Sequence, residues 1–225
     1  CDETSVAIVK DGQILSNIIY SQISHHQKFG GIVPEVAARN HCAKLPFIFS
    51  EALNQANLSL AQIEGIAVTN RPGLVGALLT GLTFAKSISF AAGIPLKGIN
   101  HLEAHFSAIS LETEVNFPFG ALLVSGGHTA LYHVQGIGNF HRLGSTLDDA
   151  AGEVFDKVAR IMNLGYPGGP AIDQLSEQGD ATQYAFPRPM IHSKDFNFSF
   201  SGLKTSVQTH LQKNASSNPA DVAAS

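Results

Sequence analysis

Along the first hundred positions the hydrophobic residues change period several times, and each change marks an element. Residues 5–10 and 13–21 are rich in Ile and Val and flank Asp11-Gly12, a dipeptide that favours a tight hairpin turn. A loop with Gly30-Gly31 follows, and Pro34 opens a helix predicted to run to about Asn57, bent or broken at Pro46. Ser59 and Gln62 fit a capping box. Residues 65–69 read as a short buried strand, 74–92 as a helix and 96–99 as another strand. A helix over 101–111 follows, with Asn100 as its cap.

The pattern then starts again. Residues 121–125 and 129–135 are predicted strands joined by Gly126-Gly127-His128, a third strand lies near 140–144, and 147–163 is a helix closed by Gly165. Hairpin strands followed by a helix, twice over, predict an α/β chain of two similar lobes, 1–117 and 118–225. Phe196, Phe198 and Phe200 alternate with polar residues, as in a half-buried strand, which Gly202 ends before a helix over 203–213. Asn218-Pro219 reads as a helix start, and the first residue is Cys1 rather than Met; the sequence is expected to be a fragment of a longer protein.

Composition narrows the class. With 44% hydrophobic and 14% charged residues the 225-residue chain is an ordinary globular one rather than a disordered one. Two cysteines, Cys1 and Cys42, are too few for a disulfide framework, and no basic-then-apolar leader is visible, so a cytoplasmic setting is expected. The most apolar stretch, 74–96, carries Lys86 and several glycines and ends near Pro95; it reads as a buried helix, not a membrane span. The net charge of −4 is opposite in sign to that of most proteins that bind nucleic acid over their own surface. An RNA substrate would therefore need a local basic patch, another segment or a partner to supply the positive field.

Several groups of residues could carry chemistry. His101 and His105 stand at i and i+4, on one helical face, where both rings can reach a single cation. Two ligands do not complete a metal site, and Glu103 is one place too far along for the zinc-peptidase pattern. Ser125-Gly126-Gly127-His128-Thr129 is either a plain tight hairpin or a turn whose amides meet an anion or a carbonyl oxygen. Tyr166-Pro-Gly-Gly-Pro170, ahead of a helix whose first turn holds Asp173, and Asn70-Arg-Pro-Gly-Leu-Val-Gly76 are further loops of this kind. Asp149, Glu153 and Asp156 are predicted on one face of a helix, by default a solvated one. Gly152 costs that helix about 1 kcal/mol relative to Ala, which the close approach of a ligand or another backbone would explain. Asp156 would then meet ribose hydroxyls or an amine.

Taken together, these motifs resemble one family. They are Cys1-Asp-Glu-Thr4, Gly30-Gly-Ile-Val-Pro-Glu35, Arg71-Pro-Gly-Leu-Val-Gly76, His101-Leu-Glu-Ala-His105, Val124-Ser-Gly-Gly-His-Thr129, Asp148-Asp-Ala-Ala-Gly-Glu153, Tyr166-Pro-Gly-Gly-Pro170 and Phe198-Ser-Phe-Ser-Gly-Leu-Lys204. In this order they are similar to the tRNA threonylcarbamoyladenosine transferases, once grouped as glycoproteases, in their bacterial or organellar form. The resemblance implies an actin-like, ribonuclease-H-like α/β fold of two duplicated lobes with a cleft between them. It implies one divalent metal ion, iron or zinc, on His101 and His105, with a third ligand, an aspartate, in a C-terminal segment not in this sequence. It carries ligand contacts onto Leu123, Val124, Ser125, Gly126, Gly127, Asp156, Gly169 and Asp173. Asn70-Arg71 depart from the family pattern, in which a small or glycine-containing pair is frequent there.

The implied reaction moves a threonylcarbamoyl group from threonylcarbamoyl-adenylate, an adenylate of the ATP type, to N6 of the adenine beside the tRNA anticodon. Glu3 and His128 are both candidates for the general base. The implied partners are tRNA, a non-catalytic paralogue and a small ATPase; no membrane is implied. A metallopeptidase and a non-catalytic ATP-binding scaffold of the same complex are the alternatives.

Overall fold

Two units divide the chain, Cys1–Glu114 and Val115–Ser225. The computed structural model describes residues 2–225, so Cys1 of the opening motif lies outside the described residues.

In the first unit, β1 (Glu3–Lys10) and β2 (Gln13–Ser21) pair antiparallel. Asp11 and Gly12 between them both take positive φ, 50° and 76°, the geometry that suits a two-residue hairpin to strand twist. A short helix α1 (Ile23–Gln27) leads through the glycine loop to α2 (Pro34–Gln55). Val33, restricted to extended backbone by the proline after it, is the N-cap. Helix α2 buries Ala37, His41, Leu45, Ile48 and Ala52, one stripe at helical spacing. Of the bend or break expected at Pro46, the break does not occur: Pro46 is exposed, and so is Cys42, whose carbonyl loses its helical donor and can turn to water.

Strands β3 (Ile66–Arg71) and β4 (Leu96–Asn100) pair parallel, with α3 (Val75–Ala92) as their crossover. The sequence reading made β3 and α3 buried, and the structure corrects both. β3 alternates half-buried with exposed positions, and only Ala85 of α3 is buried. Val75 and Phe90 on α3 are 78% and 92% exposed. Its inner face packs on α2, with Phe84 edge-on to Phe49. By length and apolarity α3 could cross a membrane, and it is the one described helix that could. α4 (His101–Ala108), whose backbone is capped by Asn100, follows β4 directly.

The second unit opens with β5 (Phe119–Val124), β6 (Thr129–Gly136) and β7 (Asn139–Ser145), an antiparallel meander in that order. Four helices follow: α5 (Ala151–Ile161), α6 (Gly168–Ser176), α7 (Ser201–Lys213) and α8 (Pro219–Ala224). Leu123 and Tyr132 of the sheet and Val154, Ala159 and Ile172 of the helices are buried in this unit. Two expectations are corrected. The helix begins at Ala151, not at 147, because Asp148 and Asp149 are used elsewhere (below). The Phe196–Phe198–Phe200 alternation yields one parallel bridge, Thr146 to Phe198, not a strand. Both units combine strands with helices, the α/β class expected.

Candidate functional site

Asn100 accepts a hydrogen bond from the Leu102 amide at 2.9 Å and so starts α4 at His101. One turn on, the Nε2 atoms of His101 and His105 lie 3.2 Å apart, with ring centroids 4.5 Å apart; both residues are exposed. Two imidazole nitrogens bound to one cation at about 2.0–2.1 Å, at tetrahedral to octahedral angles, stand about 2.9–3.4 Å apart. The pair therefore fits a shared divalent ion once both Nε2 atoms are free of protons; the same separation also suits an N–H···N bond between neutral rings. Among the described residues no group of three or more His, Cys, Asp and Glu is placed to hold a metal.

In the second unit the Ser125–His128 turn is closed twice. The Ser125 amide donates to the His128 carbonyl at 2.8 Å, and the His128 amide donates to Ser125 Oγ at 3.0 Å. This leaves the Gly126 and Gly127 amides without a hydrogen-bond partner among the described residues, on two exposed glycines with open space where a Cβ would stand. Leu123 is buried at the end of β5, and Val124 is 52% exposed beside it. The turn can present two donors to an oxygen of a ligand.

Gly152 has a reason that sequence could only frame as a choice. A Cβ there would lie 2.7 Å from the Ser125 carbonyl and 2.8 Å from Gly126 N, so it is another backbone that approaches, not a ligand. The Gly152 amide donates to that carbonyl at 3.2 Å, and the Ala151 amide donates to Thr129 Oγ1 at 2.9 Å. The first turn of α5 is thereby seated against the glycine turn.

The acidic face is corrected in the same way. Asp149 lies ahead of α5, not on it, and its carboxylate takes both Lys157 at 3.2 Å and Lys204. The ammonium of Lys204, then that of Lys157, holds Asp149 below the usual carboxylate range despite its partial burial. Asp156 Oδ1 accepts from the Gly168 amide at 2.8 Å, at the start of α6. Gly168 cannot carry a Cβ, which would stand 2.6 Å from Asp156 Cα. Gly169 is half-buried in the first turn of α6, and Asp173, one turn on, is exposed.

Glu3 is exposed at the start of β1 in the first unit, and His128 is half-buried on the turn of the second. Asp156 is joined to the start of α6 beside Gly169, Asp173 lies one turn further along α6, and the other ligand-contact candidates lie on the hairpin. His101 and His105 form their own pair.

Two polar assemblies went unread in the sequence. Asp148 accepts from Ser199 Oγ at 2.6 Å, from the Phe200 amide at 2.8 Å and from the Ser201 amide at 3.3 Å, acting as an N-cap for α7 supplied from 52 residues away. Desolvation, the largest single cause, would raise its pKa, but these donors together outweigh it and hold the carboxyl below its usual range. In the first unit, His41 Nδ1 meets Thr4 Oγ1 at 2.7 Å and Gln22 Nε2 at 3.3 Å, and buried His26 accepts at Nδ1 from the Val33 amide at 3.2 Å. Four polar residues recurring on the buried side of β1, α1 and α2 were the available signal.

The family model described as tRNA N6-adenosine threonylcarbamoyltransferase matches residues 13–225. The protein of that name from Geobacter metallireducens is 56% identical over 95% of this chain and 63% of its own length. The one from Thermosipho africanus is 55% identical over 95% of this chain and 65% of its own. The chain thus spans less than two thirds of the length of these relatives. Among solved structures, YeaZ from Pseudomonas aeruginosa aligns over 63% of this chain and 59% of that chain, at 17% identity and a TM-score of 0.42. On the match over residues 13–225 and identities above one half, the chain belongs to the tRNA N6-adenosine threonylcarbamoyltransferase family.

Proposed function

We propose that this chain forms part of an enzyme that transfers the threonylcarbamoyl group of threonylcarbamoyl-adenylate to N6 of the adenine beside the anticodon of tRNA. The observation that carries the reading is the family match over residues 13–225. The local chemistry agrees with it. In the reaction N6 attacks the carbamoyl carbon, the bond from that carbon to the phosphate oxygen breaks, AMP departs, and N6 gives up a proton. The amides of Gly126 and Gly127 would donate to an oxygen of the acyl-adenylate, where negative charge develops. Leu123, Val124 and Ser125 would line its binding edge, and Asp156, Gly169 and Asp173 would orient the ribose and amine groups of the ligand. Glu3 or His128 would accept the proton from N6.

His101 and His105 would hold a divalent ion, iron or zinc, with further ligands from outside this sequence. When bound, the ion supplies a Lewis acid for developing negative charge. A cytoplasmic setting, with a non-catalytic paralogue and a small ATPase as partners, belongs to the same proposal. Exposed Phe47, Val75, Leu79 and Phe90 are apolar surface of the kind a protein partner covers.

The test is His101→Ala in the full-length protein. Metal analysis should show the ion lost, and a single-turnover assay on tRNA should show transfer lost, with the circular dichroism spectrum unchanged. Transfer at the unsubstituted rate by the metal-free variant would overturn the Lewis-acid role.

A further inference from the structure

Residues 177–200, between α6 and α7, form neither helix nor strand, an unusual length for a connection inside a packed unit. Both ends are tied. The Asp180 amide donates to Asp221 Oδ1 at 2.9 Å and the Tyr184 amide to Ser225 Oγ at 3.2 Å. At the far end Ser145 donates to Asn197 Oδ1 at 3.1 Å, and Asp148 holds Ser199 and Phe200. Among the described residues, 187–196 between these ties have only local hydrogen bonds, such as the Ser193 amide to the Met190 carbonyl at 2.8 Å. The tip is thus fixed at its base and open to solvent.

Its composition is selective. Arg188, His192 and Lys194 are exposed, and neither Arg188 nor Lys194 forms an ion pair with a described residue. By contrast, Lys157 and Lys204 are paired with the carboxylates of Asp149 and Glu153, and Arg39 with that of Glu35. The carboxylate of Asp195, the acid within this tip, is committed to Ser193 Oγ and to both nitrogens of Asn197, at 3.0–3.1 Å. Apolar residues alternate with the cations along the sequence: Ile191 is 62% exposed and Phe196 58% exposed. Free cations interleaved with an exposed ring and an aliphatic side chain suit a phosphodiester chain with unstacked bases, which offers both anions and flat apolar faces. A net charge of −4 means that the attraction for such a ligand has to be local.

We propose that residues 187–196 form an RNA-contact surface for a single-stranded loop, with Arg188 and Lys194 on phosphates and Phe196 against a base. The proposal rests on the reading that RNA is the acceptor, and names the part of this chain that touches it. Binding of a labelled RNA stem-loop with an unpaired adenosine, measured in the full chain over a range of salt without acyl donor, tests it. Arg188→Ala with Lys194→Ala should weaken binding about 10-fold and make the slope of log K against log salt shallower by about 1.4, two contacts at about 0.7 each. Phe196→Ala should weaken binding about 10-fold with the slope unchanged. Arg188→Lys with Lys194→Arg should keep the slope, and removal of Lys10 and Lys213 should leave binding unaltered. Unchanged affinity and slope in the double alanine variant overturn the surface while leaving the acceptor reading standing. Binding through the tip with no transfer to RNA when the donor is added to the full-length protein with its partners sinks the acceptor reading and leaves the surface. Equal losses with a fully duplex RNA also overturn the single-strand assignment.

Discussion

Each unit has a glycine-containing loop anchored to its first strands, but the anchors differ in kind. Around Gly30-Gly31 the anchors are neutral and buried: His26 and Gln22 are 0% exposed, and Thr4 and His41 less than 10%. In the second unit the Gly126-Gly127 turn is itself held by neutral groups, but the loop before α7 has ionic, part-exposed anchors, with Asp148 on the start of α7 and Asp149 on two lysines. Buried neutral groups are strong because no water competes, and costly where a partner is missing. The first unit has three such atoms among the described residues: Ser16 Oγ, Gln22 Oε1 and His26 Nε2. Charged anchors near water carry less individually but tolerate loss, because water takes the place of the missing group. The second arrangement suits a loop expected to meet a ligand, and the first suits a fixed wall.

The largest break of this contrast is His26→Ala. It removes the acceptor of the Val33 amide and opens a void at a fully buried position, and should destabilise the first unit by about 3 kcal/mol. Hydrogen exchange read by mass spectrometry should show protection lost at Val33 and in the first turn of α2. Unchanged protection there would mean that the imidazole does not hold the loop.

How much of this could be read from sequence follows the range of the interactions. The Asp11-Gly12 hairpin, the Asn100 cap and the His101–His105 spacing are set within four residues, and the structure has them as expected. The α/β class was legible from the order of strands and helices, each set by a short local string. Position on the surface was not legible for α3, because an apolar helix looks the same in sequence whether its outer face is covered or bare. Nor was the role of Asp148, whose partners lie 51 to 53 residues away, or the lost strand at Phe198, where alternation supplies a strand's pattern without a second edge to pair with. Gly152 was legible as an anomaly, but whether a ligand or a backbone approached depended on where Ser125 and Gly126 came to rest.

A milder break is Asp148→Ala in the second unit. It uncaps α7, whose Phe200 and Ser201 amides can turn to water, so the expected loss is about 1 kcal/mol. Exchange should rise in the first turn of α7 and at Ser199 while β6 stays protected. Asp148→Asn, which keeps an accepting oxygen, should restore most of it. Loss of protection throughout the sheet would show that the carboxylate is structural on the scale of His26.

The smallest effect sharpens the contrast through pH. Burial, the leading cause, pushes the imidazoles of both His26 and His41 below their ordinary value, and the Asp2 carboxylate opposes this only in part. A group that binds its proton less readily folded than unfolded contributes stability that is complete above the unfolded value, about 6.5 for histidine, and declines as pH falls below it. Asp148 and Asp149 are also depressed, but from the carboxylate value of about 3.9, so their contribution persists until the pH is far more acid. Moving from pH 7.5 to 5.5 should therefore lower the protection around β1 and α2, once exchange is corrected for its intrinsic rate at each pH, and leave that of α7 nearly unaltered. His26→Gln, neutral at both pH values, should reduce the response of the first unit to the part that His41 contributes. An equal response in α7 would mean that burial, not charge type, sets the pH sensitivity of both anchors.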